Sequence, residues 1–244
     1  MIQKVFKRVE QKYVLSEEQF LKLQDILDKR FTPDKFFFSK IYNLYFDNDN
    51  FDNIITSIEK PEYKSKIRLR SYGEASNDDY IYLEMKKKYK GTVYKRRINL
   101  TLKDFKNYQE NKSFPRQNKQ IMQEIDYQIK YQKLKPKIFV AYDRLSYYSK
   151  EDDHFRITFD YNLRSRFKNL ELKDSKKDEL YFDTITYIME VKCLFSLPIW
   201  FVSELNKLKI YPKSFSKVGN IYIKERGKKN VRKYIKKYNW IINN

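Results

Sequence analysis

Cations recur at every second position inside runs that are otherwise apolar, and no other feature constrains the fold as tightly. In a strand, residues two apart project to the same side. Arg8, Glu10 and Lys12 therefore share a face, as do Lys66, Arg68 and Arg70, and Glu84, Lys86 and Lys88. Lys95 with Arg97, Arg156 with Thr158 and Asp160, and Glu190 with Lys192 repeat the pattern. The intervening positions are apolar: Ile67 and Leu69 around Arg68, Leu83 and Met85 around Glu84, Ile157 and Phe159 around Thr158, Met189 and Val191 around Glu190. For one strand the ordinary explanation is a wet face and a core face. Six such strands, several carrying a single carboxylate among the cations, call for a second explanation. If helices cover the apolar side, the charged side faces a lumen. Crowded cations are costly there when empty, because like charges repel and lose hydration. They make sense in a water-filled space that holds a polyanion.

Composition agrees. The chain of 244 residues carries 52 Lys and Arg against 32 Asp and Glu, a net charge of +20, which favours polyanionic partners. Tyr and Phe number 22 and 18, and such residues suit pleated strands. One cysteine, Cys193, excludes an internal disulfide and reads as a buried structural thiol. The lone His154, beside Glu151, Asp152 and Asp153 in an expected hairpin turn, excludes a histidine-based triad or a His-rich metal site. Met1 to Arg8 lacks an apolar secretory core, and no window approaches the roughly 20 apolar residues of a membrane helix. The expectation is a single domain over 1–244, soluble and cytoplasmic.

Period and punctuation place the elements. Alternation predicts strands at 4–14, 39–47, 63–73, 79–89, 92–100, 137–149, 154–163 and 185–194. Ser16-Glu17-Glu18-Gln19 has the form of a capping box, and Phe20, Leu23 and Leu27 follow at helical spacing, so 16–30 is an amphipathic helix. Further helices are expected at 50–60, 101–110, 117–133 and 197–209, followed by basic helical segments to Trp240. Lys90-Gly91 reads as a tight turn, and Lys173 to Glu179 as a solvated loop. The predicted class is α+β, an eight-stranded antiparallel β-barrel tunnel with flanking helices and a helical C-terminus, since closure removes exposed edges.

These elements together resemble the VTC (vacuolar transporter chaperone) polyphosphate-polymerase domain of the triphosphate tunnel metalloenzymes. The likeness runs from Phe6 to Lys217. It is carried by Arg8-x-Glu10-x-Lys12-Tyr13, Tyr45-Phe46-Asp47, Lys66-Ile67-Arg68-Leu69-Arg70-Ser71-Tyr72, Leu83-Glu84-Met85-Lys86 and Gly91-Thr92-Val93-Tyr94-Lys95-Arg96-Arg97. Tyr142-Asp143-Arg144, Phe155-Arg156-Ile157-Thr158-Phe159-Asp160, Met189-Glu190-Val191-Lys192, Leu197-Pro198-Ile199-Trp200 and Ser214-Phe215-Ser216-Lys217 complete it. The order and number of the motifs make the match specific.

The resemblance implies transfer of the γ-phosphate of ATP to a growing inorganic polyphosphate chain, with a divalent metal, Mn²⁺ or Mg²⁺. Lys12, Arg68, Arg70, Lys86, Lys95, Arg144, Arg156 and Lys217 would hold phosphates, assisted by Arg97 and Lys192. Glu190 would bind the metal, with Glu10 next in line. Hydrolases of the superfamily begin Glu-x-Glu-x-Lys, and the first acid is Arg8 here, which favours the polymerase branch. Val218 stands where that branch often has Tyr. Coupling to a transport channel would need a separate membrane protein. Two alternatives remain: a tunnel hydrolase of triphosphate or nucleotides, and a polyphosphate-binding module without catalysis. A nucleic-acid partner is disfavoured, since zinc fingers, an RNA-recognition signature and a Gly-rich phosphate loop are all lacking.

Overall fold

The structure is a computed structural model that describes residues 8–59, 61–111 and 119–227. In chain order the elements are β1 (Arg8–Ser16), α1 (Glu17–Arg30), β2 (Phe31–Asp47), α2 (Asp52–Glu59), β3 (Tyr63–Tyr72), β4 (Tyr80–Tyr89) and β5 (Thr92–Thr101). There follow α3 (Leu102–Asn111), α4 (Lys119–Tyr131), β6 (Lys135–Ser149), β7 (Arg156–Arg166), β8 (Glu179–Leu180), β9 (Thr186–Leu194) and α5 (Ile199–Lys207). A last helix, α6, is described over 217–227. The side chain of Arg8, the basic stretch from Lys228 to Lys237 and Trp240 lie outside the described residues.

The class is α+β, with the strands in one sheet ordered β1-β9-β7-β6-β2-β3-β4-β5 and β8 beside β7. Two expectations change among the described residues. Nine strands are present, because β8 is two residues long and too short to show a period. The hydrogen-bonded path runs from β1 to β5, with no pairing between these two that would close it. β2 also begins at Phe31, not residue 39; Pro33, Asp34 and the run Phe36-Phe37-Phe38 break the alternation by which a strand is recognised.

By packing, the chain divides into two compact units. One comprises residues 8–40, Tyr142–Leu163 and Leu180–Phe215. Its core gathers Tyr13 and Leu15 of β1, Ile157 and Phe159 of β7, and Met189, Val191 and Cys193 of β9. Phe20, Leu23 and Leu27 of α1 and Phe201 and Leu205 of α5 join the same core. The capping box forms as expected: Ser16 Oγ accepts from the Gln19 amide and the Gln19 side chain accepts from the Ser16 amide, closing two orphan donors at the start of α1. Trp200 serves as a packing anchor, with the Arg30 guanidinium 4.6 Å from its ring.

The other unit comprises Ile41–Ala141, Arg164–Glu179 and residues 216–227. Ile67 and Leu69 of β3, Ile81, Leu83 and Met85 of β4, and Ile98 and Leu100 of β5 are buried with Phe105 and Tyr108 of α3 and Met122 and Ile125 of α4. Each such side chain is worth about 1.5–3 kcal/mol removed from water. The helices thus cover the apolar face of β3–β5. Lys90 and Gly91 have φ of 44° and 83°, the two positive values that a two-residue hairpin loop of the I′ kind requires. The segment from Lys173 to Glu179 is a loop with its lysines exposed, as expected, but it is anchored at two points. Arg164 pairs with Asp174 at 2.7 Å, and Arg166 pairs with Asp178 while donating to the carbonyls of Asn169, Glu171 and Lys173. Lys173, Lys176, Lys177 and Glu179 remain exposed, while Asp174 and Asp178 are tied to the arginines.

Candidate functional site

In the β3–β5 unit the cations lie on the face opposite the helices, because positions 66, 68, 70 and 84, 86, 88 alternate with the buried apolar residues. Register decides what stands beside what. Arg68 is opposite Glu84, which is opposite Arg97, and Tyr45 of β2 is opposite Arg68. One row along, Lys66, Lys86 and Lys95 are opposite one another; one row the other way, Asn43, Arg70, Tyr82 and Asn99 line up.

Glu84 is the hub. Its side chain is 2% exposed, and its Oε2 accepts from Arg68 Nε at 2.7 Å. Lys95 Nζ lies 3.1 Å and Arg97 Nε 3.5 Å from Oε1, and Arg70 Nε lies 4.0 Å from Oε2. Burial pushes the Glu84 carboxyl up, but Arg68, Arg70 and Lys95 outweigh it and hold the group down at about 2. The cations are braced from the other side as well. Arg68 Nη1 donates to Tyr45 Oη at 3.1 Å, and Arg70 Nε donates to Asn43 Oδ1, whose own amide donates to the Val140 carbonyl. Four cations converge on one carboxylate, so the face keeps a positive excess with its guanidinium groups already oriented. Arginine forks of this kind suit phosphate oxygens. Lys66 also reaches Ser216, whose hydroxyl accepts from Lys66 Nζ at 3.1 Å and from the Gly219 amide at 3.3 Å. Lys217 opens α6 beside that serine and is half-buried.

The other unit carries a smaller charged face. Glu10, Lys192 and Arg156 align across β1, β9 and β7, and Lys12, Glu190 and Thr158 align in the next row. Glu190 Oε1 lies 2.7 Å from Lys192 Nζ, and Lys12 Nζ lies 3.9 Å from Glu10 Oε1. Arg156 is exposed. Arg144 forks onto the fully buried Asp160, with Nε and Nη2 donating at 2.6 and 2.8 Å. Burial works against the charge of Arg144, and Asp160 overrides it. Among the described residues Thr158 Oγ1 is buried without a hydrogen-bond partner, in register with Glu190.

That orphaned hydroxyl bears on the implied metal. Glu190, Glu10 and Thr158 offer hard oxygen donors, which suit Mg²⁺ or Mn²⁺. Among the described residues no three Asp, Glu, His or Cys side chains gather as a ready-made cage. A cation that keeps several waters and takes phosphate oxygens needs only one or two carboxylates, so the residues fit such an ion.

Sequence reading thus reached Arg68, Arg70, Lys95 and Arg97 in one cluster, with Lys86 in the adjoining row, and Lys12, Arg156, Lys192, Glu190 and Glu10 on one face of the other unit. It passed over Lys66 as a site residue; Glu84 and Asp160, carboxylates standing among cations in the alternation, pair with the neighbouring cations Arg68 and Arg144. Asn43 left no signal and Tyr45 entered only within the Tyr45-Phe46-Asp47 motif, since only the pairing of β2 with β3 brings them to the arginines.

Helices cover one face of the antiparallel strands β3–β5 and oriented cations stand on the other, an arrangement that suits phosphate oxygens. A sequence model of the VTC domain matches residues 7–223, and the chain belongs to that family. No curated protein matches the sequence. Among solved structures, a candidate adenylate cyclase from Bacillus halodurans is similar in fold, with TM-score 0.52 and 16% identity over 86% of this chain and 93% of that one. The PH1819 protein of Pyrococcus horikoshii matches with TM-score 0.48 and 14% identity, covering 89% of this chain and 99% of its own.

Proposed function

We propose that the chain is a polyphosphate polymerase that transfers the γ-phosphate of ATP to a growing inorganic polyphosphate chain, with Mn²⁺ or Mg²⁺. The observation that carries this reading is the cluster of Arg68, Arg70, Lys95 and Arg97 around buried Glu84 in a VTC-family chain. Phosphoryl transfer needs alignment and charge neutralisation more than a strong base. The attacking oxygen of a terminal phosphate is already ionised at neutral pH, so a histidine or serine is not required. It forms a bond to the γ-phosphorus as the bond to the β–γ bridging oxygen breaks, and ADP leaves.

In this reading Arg68, Arg70 and Arg97 orient the triphosphate, while Lys86 and Lys95, with Lys66 alongside, hold the next phosphates along the strands. Lys12, Arg144, Arg156, Lys192 and Lys217 belong to the same proposal as further phosphate contacts. Glu190, with Glu10 and the Thr158 hydroxyl, would hold the divalent ion, which when bound offsets phosphate charge. Closure of the strands into an eight-stranded tunnel, a cytoplasmic location and a separate membrane protein as partner are parts of the proposal that rest on the family. No helix among the described residues is long and apolar enough to cross a membrane.

The test is phosphorus NMR of the purified chain with ATP and Mn²⁺, with and without a short polyphosphate primer. Growth of the internal-phosphate signal together with ADP is the expected result. Release of orthophosphate alone would replace the polymerase with a hydrolase, and triphosphate binding without turnover would leave a binding module.

A further inference from the structure

The charged face of β3–β5 changes character along its length. At one end stand lysines, with Lys64 opposite Lys88 and then Lys66, Lys86 and Lys95 in a row. The Arg68–Glu84–Arg97 row follows, then Arg70 opposite Tyr82. Two residues further, about 7 Å along the strands, the face ends in Tyr72 on β3 and Tyr80 on β4, opposite Thr101. Beyond them the connecting loop carries Glu74, Asp78 and Asp79. Phosphates are attracted at the lysine end and repelled at the acidic one.

The tyrosine end is also built as an aromatic platform. The Arg97 guanidinium lies 3.7 Å from the Tyr82 ring centroid, and its Nη2 is 3.5 Å from the Tyr72 hydroxyl. The Tyr72 ring stands edge-on to Tyr82, at 5.7 Å and 79°. Tyr72 nevertheless remains 50% exposed. A half-open ring, fixed by an arginine that also faces the phosphate cluster, has no core to fill. Aromatic rings accept a nucleobase on their faces, and an arginine plane extends the same surface.

We infer that Tyr72 is the stacking residue for the base of the nucleoside triphosphate, with Tyr82 and Arg97 fixing its ring, so that the nucleotide lies with its base at the Tyr72 end and its phosphates towards Lys66, Lys86 and Lys95. This rests on the polymerase reading, and it fixes the direction in which the substrate lies on the sheet. Tyr72 would make the site distinguish a nucleotide from bare triphosphate.

Calorimetric titration of the purified chain with the β,γ-imido analogue of ATP and with inorganic tripolyphosphate tests it. Tyr72→Ala should weaken the analogue about fivefold to a hundredfold more than it weakens tripolyphosphate, the range that base stacking supplies. Tyr72→Trp, which keeps a stacking face, should restore the analogue, and Tyr72→Phe should retain it. Equal weakening of both ligands by Tyr72→Ala would overturn the inference, because Tyr72 would then act only by bracing Arg97. So would an unchanged affinity for the analogue. Failure of the unaltered chain to bind either ligand would instead overturn the phosphate-site reading, and this inference with it.

Discussion

Replacing Glu84 by Gln removes the carboxylate at the centre of the cation cluster while keeping its shape. The cost follows from the geometry. The carboxyl is held at about 2, against an ordinary value of 4.5. At about 1.4 kcal/mol per pKa unit, the charged form is favoured in the fold by about 3 kcal/mol. Most of this belongs to Arg68 and Arg70, because the Arg70 side chain is 8% exposed and Lys95 is 49% exposed and screened by water. Breaking a buried pair from one side costs about 3–5 kcal/mol, of the same order. Urea denaturation at pH 7 should therefore show Glu84→Gln less stable by about 3 kcal/mol. The pH dependence sharpens the test. The folded value lies below the ordinary one, so this stabilisation is present above about pH 4.5 and is lost as pH falls towards 2. The two proteins should converge in stability over that window. A difference below about 1 kcal/mol at pH 7 would refute the argument that Glu84 holds the cluster together. So would a difference that persists undiminished near pH 2.

Three further perturbations separate the remaining roles. Arg68→Ala, which removes a fork held by Glu84 and Tyr45, should weaken tripolyphosphate binding by tenfold or more in calorimetry, since charge-assisted hydrogen bonds are worth about 1.5–3 kcal/mol. Glu190→Gln should abolish metal-dependent turnover, followed by titration of Mn²⁺, with little change in melting temperature; retained turnover would move the metal to Glu10 or elsewhere. Arg166→Met strands Asp178 and frees three carbonyls, so it should cost about 3–5 kcal/mol. It should also open residues 167–178 to limited proteolysis; an intact segment would mean that Asp174 alone secures it.

How far the sequence reached differs from one element to the next. A strand's faces repeat every two residues, so the sequence by itself placed Arg68 and Arg70 on one side and Ile67 and Leu69 on the other, and helices α3 and α4 do cover the second set. The start of α1 was equally legible, because a capping box is a contact among four consecutive residues. Alternation says nothing about which strand lies alongside which, or at what offset. Only the tertiary structure brought Tyr45 and Asn43 to the arginines, made Glu84 the centre of the cluster, and tied Asp174 and Asp178 to Arg164 and Arg166. The period of a strand is a property of its own backbone, whereas the partner of a buried charge is fixed by the pairing of distant segments, and desolvation makes that pairing decisive.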